Sequence, residues 1–264
     1  MSRERKVIVR GFGGGLGNLL LMYFAGYALA KTLDAELWFQ NDYIDLKRGN
    51  ISQFAHLLEH ARFVSQREVD ALPRPVFEHV EMTMAYSDLP TPSRGHVRMQ
   101  GYFQSFKYFE HVLLELRDSI FRNVTCTGGC VCVHVRRGDY LHFPEIHPTL
   151  PESYYERAMN LMRTRLGTPR FKVFSDDIEY VKNCPAFLSP DVHVQDEPDP
   201  ERALMHMAAC DHFIIANSTL SLCAYHLRAN RATATLVAPS RWFGPQGPSN
   251  HCVQDLVPPE AILL

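Results

Sequence analysis

Residues 131–140 carry the most informative pattern of the sequence, Val131-Cys132-Val133-His134-Val135-Arg136-Arg137-Gly138-Asp139-Tyr140. Valine at every second position predicts a half-buried β-strand, and the strand is expected to end where the two arginines begin. In open α/β sheets, ligands bind outside the carboxyl ends of the strands, and paired guanidinium groups match the oxygens of a phosphate. The pattern therefore predicts a strand that leads into an anion-binding loop. The alternative is a set of Arg–Asp ion pairs that only closes the turn from strand to loop.

Two further predicted strands end in polar clusters. Residues 170–174 lead into Ser175-Asp176-Asp177, and residues 212–216 lead into Asn217-Ser218-Thr219. Apolar spacing predicts helices at residues 153–165, 199–210 and 220–228, and strands at residues 191–195 and 236–238. This alternation of strands and helices predicts a doubly wound parallel sheet, with the three polar clusters in one crevice at its carboxyl edge. The alternative for the last two clusters is plain capping of the helices that follow them.

A glycine-rich loop follows the first predicted strand, at residues 6–10. The segment from Gly11 to Asn18 precedes a helical pattern, and the free amides of a helix start can bind an anion. The dinucleotide-binding fingerprint fails because Leu16 stands where its third glycine is required, and no Walker lysine follows. The alternative is that these glycines only allow the helix to pack closely on the strand.

The remainder of the amino-terminal half gives weaker signals. Further elements are predicted as strands at residues 36–40 and 97–103 and as a helix at residues 105–122. Residues 41–98 are interrupted by prolines and show no regular pattern. Small and turn-forming residues at 125–129 predict a linker, which separates an amino-terminal domain, residues 1–125, from a carboxyl-terminal domain, residues 126–264.

Composition narrows the class of protein. The 264 residues have a formal charge of −2, which argues against a nucleic-acid binder and leaves any arginine cluster to act locally on a small anion. No apolar run is long enough for a membrane segment, and the first residues lack the apolar core of a signal peptide. The seven cysteines include no C-x-x-C pair, so a reducing cytoplasmic or other intracellular compartment is expected.

Metal-dependent and hydrolytic chemistry receive little support from the sequence. Asp176 and Asp177 could hold a divalent cation, but two nearby arginines make a metal unnecessary for binding a diphosphate. Cys130, Cys132 and His134 share a strand face with about 7 Å between neighbours, too far apart to surround one zinc ion. No G-x-S-x-G or H-E-x-x-H motif is present. Neither a metal site nor a cofactor is expected.

Six separated motifs, in order along the chain, resemble those of the GT11 α-1,2-fucosyltransferases. The motifs are Gly14-Gly15-Leu16-Gly17-Asn18; Gly101-Tyr102-Phe103-Gln104-Ser105 with Lys107-Tyr108-Phe109; the run from His134 to Tyr140; His147-Pro148 with Tyr154-Tyr155; Phe174-Ser175-Asp176-Asp177; and Ala216-Asn217-Ser218-Thr219 with Ser221. The resemblance implies a GT-B architecture, in which two Rossmann-like doubly wound domains face a cleft. It also implies GDP-fucose held mainly by the carboxyl-terminal domain, metal-independent inverting transfer, and a galactose-terminated glycan acceptor on the amino-terminal side.

The same resemblance suggests roles for individual residues. Arg136 is expected to bind the β-phosphate of GDP-fucose and to act in catalysis, since charge develops on the departing GDP. Arg137 and Asp139 are expected to fix the loop, and Asn18 to close the site from the other domain. The remaining donor-binding candidates are His134, Asp177, Asn217, Ser218 and Thr219. The base that takes the acceptor proton stays open among Asp139, Glu145 and His147, of which Asp139 and His147 are the catalytic candidates.

Two departures from the family pattern keep a non-enzymatic alternative open. Leu19 stands where the family usually has Gln, and Leu222-Cys223 replaces an expected Trp-Trp. A nucleotide-sugar or glycan-binding protein without catalysis could tolerate both changes. The complete arginine motif favours an enzyme.

Overall fold

The computed structural model describes residues 4–11, 13–40, 51–121, 124–126, 128–230, 234–249 and 254–264. The chain divides into two compact units, Met1–Arg122 and Asn123–Leu264, which we call the first unit and the second unit. Among the described residues, no helix is both long enough and apolar enough to cross a membrane.

The first unit is built on a five-stranded parallel sheet with the order β3-β2-β1-β5-β4. Its strands are β1 Lys6–Arg10, β2 Glu36–Gln40, β3 Ala61–Val64, β4 Val76–Val80 and β5 His96–Gln100. Its α-helices are α1 Leu16–Thr32, α2 Gln66–Asp70 and α3 Leu113–Ile120, and its 3-10 helices are Ile51–Leu57, Phe106–Tyr108 and Glu110–Val112.

Helix α1 lies in the interior of the first unit. Gly26 lets the helix approach β1, because a Cβ atom there would collide with the Val9 side chain. On another side, Phe24 makes an edge-to-face contact with Phe109, with 5.3 Å between ring centroids. The helix is therefore buried almost all round, which explains why its sequence is apolar on every face rather than on one stripe.

Two expectations for the first unit were wrong. The segment before residue 98 contains β3, α2 and β4, although its sequence showed no regular pattern. These elements are short, and in the edge strands β3 and β4 several side chains face solvent, so their apolar periodicity is weak. The predicted helix at residues 105–122 is in fact two 3-10 helices followed by α3. Residues 41–50 lie outside the described part of the chain.

A signal for α2 was nevertheless present in the sequence. Ser65 accepts a hydrogen bond from the backbone N–H of Glu68, and the Glu68 carboxylate accepts one from the N–H of Ser65. This is a capping box, whose S-x-x-E pattern marks a helix start.

The second unit is built on a six-stranded parallel sheet with the order β11-β10-β9-β6-β7-β8. Its strands are β6 Cys130–Val135, β7 Arg170–Ser175, β8 Val192–Gln195, β9 His212–Ile214, β10 Leu236–Ala238 and β11 Ile262–Leu263. Its α-helices are α4 Glu152–Leu166, α5 Ile178–Asn183, α6 Pro200–Ala208 and α7 Thr219–His226, and its 3-10 helices are Gly138–His142 and Pro185–Phe187. The prediction of an α/β fold with two doubly wound parallel sheets is confirmed; α5 and β11 were not predicted.

Strand β6 is buried on both faces, which corrects the half-buried prediction. Cys130, Cys132 and His134 occupy the face opposite the valines, and all three are buried. Neither cysteine forms a disulfide bond, and both pack as small hydrophobes. In a doubly wound sheet, helices cover both faces of a central strand, so alternation of valine with other small side chains does not mean exposure to solvent.

Candidate active site

The carboxyl ends of β6, β7 and β9 meet at one edge of the second sheet. Val135 pairs with Ser175 across β6 and β7, and Val133 pairs with Ile214 across β6 and β9. The chain leaves β6 for β7 on one side and returns to β9 on the other, so this edge contains the point where strand order reverses. Such a switch point is where ligands bind in open α/β sheets. The structure therefore brings together the three polar clusters, as predicted.

Arg136 is held by two carboxylates at this edge. Its Nη2 donates to Oδ1 of Asp139 at 2.6 Å, and its Nη1 lies 2.7 Å from Oδ2 of Asp176. The guanidinium also lies over the ring of Tyr140, 5.3 Å from its centroid. About a third of the Arg136 side chain remains exposed, and the two carboxylates leave other N–H groups available to a ligand. The geometry therefore fixes this cation in place before any ligand arrives.

Arg137 braces the arginine loop, which we define as residues 136–140. Its Nε donates to Oδ2 of Asp177 at 3.0 Å, and its guanidinium lies 3.7 Å above the ring of Tyr180. Its backbone N–H donates to Oδ1 of Asp176 at 2.9 Å. Asp176 thus links the backbone of the loop to the side chain of Arg136. The sequence placed both aspartates in one motif but selected only Asp177 as a donor-binding residue, although both follow β7.

Gly138 makes room for Asp176, so we expect Gly138→Ala to impair turnover. A Cβ atom at residue 138 would collide with Oδ2 of Asp176 and would lie 3.0 Å from its Cγ. Because the obstacle is a movable side chain, the fold should survive while Asp176 releases the loop. We expect steady-state kinetics to show a loss of about 10- to 100-fold in kcat/KM, the size of effect that a displacement of roughly 1 Å can cause.

A double-mutant cycle supplies the control for Gly138→Ala. In an Asp176→Ala background the collision partner is absent, so adding Gly138→Ala should change kcat/KM little further. Equal losses from Gly138→Ala in both backgrounds would contradict this explanation.

His134 is a neutral side chain beneath the loop. Its burial, with a smaller contribution from the charge of Arg136, lowers its pKa to about 3. Its Nδ1 is buried without a hydrogen-bond partner among the described residues. A buried polar atom without a partner costs free energy, so a ligand atom placed here would gain a hydrogen bond at little desolvation cost.

Asn217 connects three segments at this edge. Its Nδ2 donates to the backbone carbonyl oxygens of Pro148 and Trp242 at 2.9 and 3.0 Å. The backbone carbonyl oxygen of Asn217 accepts from the hydroxyl of Tyr140 at 2.8 Å. Its Oδ1 is buried and has no partner within the described ranges. Burial raises the pKa of Tyr140 to about 12, so its hydroxyl stays protonated and can donate.

Helix capping, the alternative to ligand binding, explains one of the remaining predicted site residues but not the others. Asp177 does cap α5, since its Oδ1 accepts from the N–H of Tyr180 at 3.0 Å. Ser218 occupies the N-cap position of α7 but makes no capping hydrogen bond with its side chain. Thr219 is the first residue of that helix and is partly buried. Capping therefore explains Asp177 and leaves the hydroxyl of the mostly buried Ser218 unexplained.

The three candidates for the base occupy different environments. Asp139 is engaged with Arg136. The ring of His147 stacks on Tyr140 at 4.8 Å and packs at 5.4 Å from the ring of Phe243. Glu145 is exposed. The geometry selects none of them.

Asn18 belongs to the first unit, near the amino end of α1. Its Oδ1 accepts from Nε2 of Gln104 at 2.9 Å, which joins the glycine-rich loop to the segment after β5. Gly14, with a φ of +135°, lies against the Asn18 side chain, where a Cβ atom would be 2.6 Å from Nδ2. The glycine at this position therefore has a steric reason, beyond the packing of helix on strand.

The aspartates after β7 point toward arginines rather than toward a shared cation. Within the part of the chain that the structure describes, no three His, Cys, Asp or Glu side chains are grouped as metal ligands.

Comparisons with known proteins agree with the motifs. The model of glycosyl transferase family 11 matches residues 85–246, more than half of the chain. An alpha-1,2-colitosyltransferase of Escherichia coli is 27% identical over 90% of this chain and 92% of that protein. The galactoside 2-alpha-L-fucosyltransferase Sec1 of Mus musculus is 28% identical over 50% of this chain and 43% of that protein.

One solved structure supports the fold. The fucosyltransferase NodZ from Bradyrhizobium aligns with 86% of this chain and 94% of its own, at a TM-score of 0.50 and 12% identity. At that identity the likeness concerns the fold alone. The family resemblance and the prediction of an enzyme are confirmed by the family match: the chain belongs to glycosyl transferase family 11 and is a glycosyltransferase.

Proposed function

We propose that this glycosyltransferase moves L-fucose from GDP-β-L-fucose to the 2-hydroxyl group of a terminal galactose, with inversion and without a metal ion. The observation that carries the proposal is Arg136, fixed by Asp139 and Asp176 at the switch point of the second sheet. Relatives named for α-1,2 transfer of fucose and of colitose support the linkage.

In the proposed reaction, negative charge develops mainly on the leaving group. The acceptor oxygen attacks the anomeric carbon from the face opposite the phosphate, and the bond from that carbon to the phosphate oxygen breaks. The electron pair leaves with GDP, so negative charge grows on the β-phosphate. A preorganised guanidinium stabilises this charge without having to reorient during the reaction. We assign that role to Arg136.

The geometry of the second unit supports the other donor-site assignments that we propose. Arg137 and Asp177 hold the loop, and His134, Asn217 and Ser218 offer polar groups toward the ligand. Thr219 lies at the start of α7, where backbone amides suit a phosphate. We assign Asn18 of the first unit to donor binding and the acceptor to the first unit. We assign removal of the acceptor proton to Asp139, Glu145 or His147.

A second candidate donor has its own support. The alpha-1,2-colitosyltransferase relative aligns along almost the whole of both chains, whereas Sec1 aligns with half of this one. Colitose is fucose without its 3-hydroxyl group, so the two donors differ by one hydrogen-bonding group. A site that binds this hydroxyl should reject colitose, since its own polar partners would be left unpaired.

The test is a transfer assay with paired donors. The full chain is incubated with GDP-fucose or GDP-colitose and a panel of β-galactosides in EDTA, and product linkage is read by NMR. We expect an α-1,2-linked fucoside and no stimulation by Mn²⁺. Transfer from GDP-colitose alone would assign the second donor, an obligatory metal would overturn the metal-free assignment, and transfer to another hydroxyl would overturn the linkage.

A further inference from the structure

Glu81 occupies the carboxyl edge of the first sheet, immediately after β4. Its Oε2 accepts from the backbone N–H groups of Tyr102 at 2.8 Å and Phe103 at 2.9 Å. Gly101 allows this arrangement, because a Cβ atom there would collide with the Cβ of Glu81 and lie 2.7 Å from Oε2. Phe103 is fully buried and has a φ of +49°, a conformation that non-glycine residues rarely adopt. One carboxylate oxygen therefore braces a strained turn.

The other carboxylate oxygen of Glu81, Oε1, does not bond to this turn. Oε1 is buried and has no hydrogen-bond partner among the residues that the structure describes. His79, two residues earlier on the same strand face, has a buried Nε2 in the same condition. Its ring packs 6.0 Å from that of Phe103. Buried polar atoms are normally paired, so a ligand that reached these two atoms would supply hydrogen bonds that the described residues do not.

Exposed apolar side chains flank this pair of polar groups along the chain. Val80, Met82 and Tyr86 are 49%, 87% and 41% exposed, and all three are close to Glu81 in the sequence. Saccharides combine hydroxyl groups with apolar faces of C–H groups, so a carboxylate next to apolar and aromatic surface suits them. Across the described stretches of the chain, Glu81 belongs to no group of three His, Cys, Asp or Glu side chains, whereas a cation site would be expected to contain several carboxylates.

We propose that Glu81 accepts a hydrogen bond from a hydroxyl group of the acceptor saccharide, with His79 beside it, so that the segments after β4 and β5 form the acceptor site of the first unit. This inference rests on the proposed function and deepens it. It assigns a residue outside the six motifs to recognition of the acceptor.

The proposal includes a pH dependence. Burial raises the pKa of Glu81 to about 7, against smaller opposing effects of the two backbone N–H groups. Those N–H groups occupy Oε2, so the proton of the acid resides on Oε1 and turns that atom from an acceptor into a donor. His79, two residues away along the chain, has a pKa lowered by burial, and Tyr108, which interacts electrostatically with Glu81, has a pKa raised mainly by burial. Acceptor affinity should therefore fall as pH drops below about 7.

Glu81→Gln separates ligand binding from bracing. The glutamine Oε1 can still accept from both N–H groups, whereas its amide nitrogen replaces the unpaired acceptor with a donor. We expect the acceptor KM to rise about tenfold or more, in keeping with loss of a hydrogen bond to a charged group. The donor KM and the melting temperature should be unchanged, and the pH dependence of the acceptor KM below about 7 should disappear.

Glu78→Gln is the matched control. Glu78 lies on β4, three residues before Glu81, but pairs with Arg98 at the surface, so this variant should keep the wild-type acceptor KM. If Glu81→Gln lost thermal stability while its acceptor KM stayed unchanged, Glu81 would only stabilise the turn after β5. That result would overturn the inference.

A donor-free measurement distinguishes failure of the inference from failure of the proposed function. Binding of N-acetyllactosamine to the full chain is followed by saturation-transfer NMR, without any nucleotide sugar. If the wild-type chain transfers no fucose, the proposed function fails, and the inference then stands only if saccharide binding is present and is lost in Glu81→Gln. Transfer of fucose with equal saccharide binding by both chains would overturn the inference alone.

Discussion

Arg136→Ala should lower kcat/KM for sugar transfer by about 100- to 1,000-fold, the range found when one preorganised donor to a developing anion is removed. The expected reason is loss of the guanidinium that Asp139 and Asp176 hold at the carboxyl edge of the second sheet. Because the side chain is partly exposed, its removal should leave the fold intact. Steady-state kinetics and a thermal melt of the same preparation measure both effects. Arg136→Lys keeps the charge but loses the planar fork, and we expect intermediate activity.

Arg163→Ala is the control for this prediction. Arg163 also pairs with a carboxylate, through two hydrogen bonds to Asp191, but Asp191 precedes β8 and so lies at the opposite edge of the sheet. Loss of the Arg163 side chain should lower the melting temperature more than it lowers the rate of turnover. Near wild-type turnover by a folded Arg136→Ala chain would remove Arg136 from the mechanism, and equal kinetic losses in both variants would show that any broken ion pair is harmful.

The ion-pair partners of Arg136 and Arg137 were only partly predictable from the sequence. The sequence left open whether the two arginines bind an anion or pair with aspartates to close the turn, and the structure places Asp139, Asp176 and Asp177 in direct contact with them. The pair of Arg137 with Asp177 joins positions on different strands, and strand adjacency is set by the order of the whole sheet. A phosphate approaching Arg136 therefore competes with carboxylates. We expect a phosphate to displace Asp139 from Arg136 before it displaces Asp176, because Asp176 also accepts a hydrogen bond from the backbone N–H of Arg137.

The predictable and unpredictable parts of the fold differ in their burial. Strands β6, β7 and β9 combine apolar runs with polar residues at their ends, so both the elements and their shared edge could be predicted. Strand β4 carries several exposed side chains on an edge, and its sequence lacks an apolar pattern. Glu81, which follows β4, was missed for the same reason. Its distinguishing features, a buried oxygen and two N–H groups from the segment after β5, exist only in the folded chain.

Asn217→Ala should destabilise the second unit by about 3 kcal/mol, since it leaves two carbonyl oxygens without their donor, and each unpaired buried group costs roughly 1–3 kcal/mol. The carbonyls belong to Pro148 and Trp242, and the Asn217 side chain that bonds them is almost fully buried. For a unit of this size the loss corresponds to a fall of about 10 °C in the melting temperature. Thermal and denaturant unfolding of the full chain measure it.

Ser218→Ala is the neighbouring comparison, and it tests whether the cluster after β9 serves only to start α7. Ser218 makes no side-chain capping bond, so its hydroxyl can be removed at a cost expected to stay below about 1 kcal/mol. If Ser218 contacts the nucleotide, GDP affinity measured by calorimetry should fall in this variant while the melting temperature holds. A melting temperature lowered as much as in Asn217→Ala, with GDP affinity unchanged, would instead show that the hydroxyl supports the helix and that the donor-site role of Ser218 is wrong.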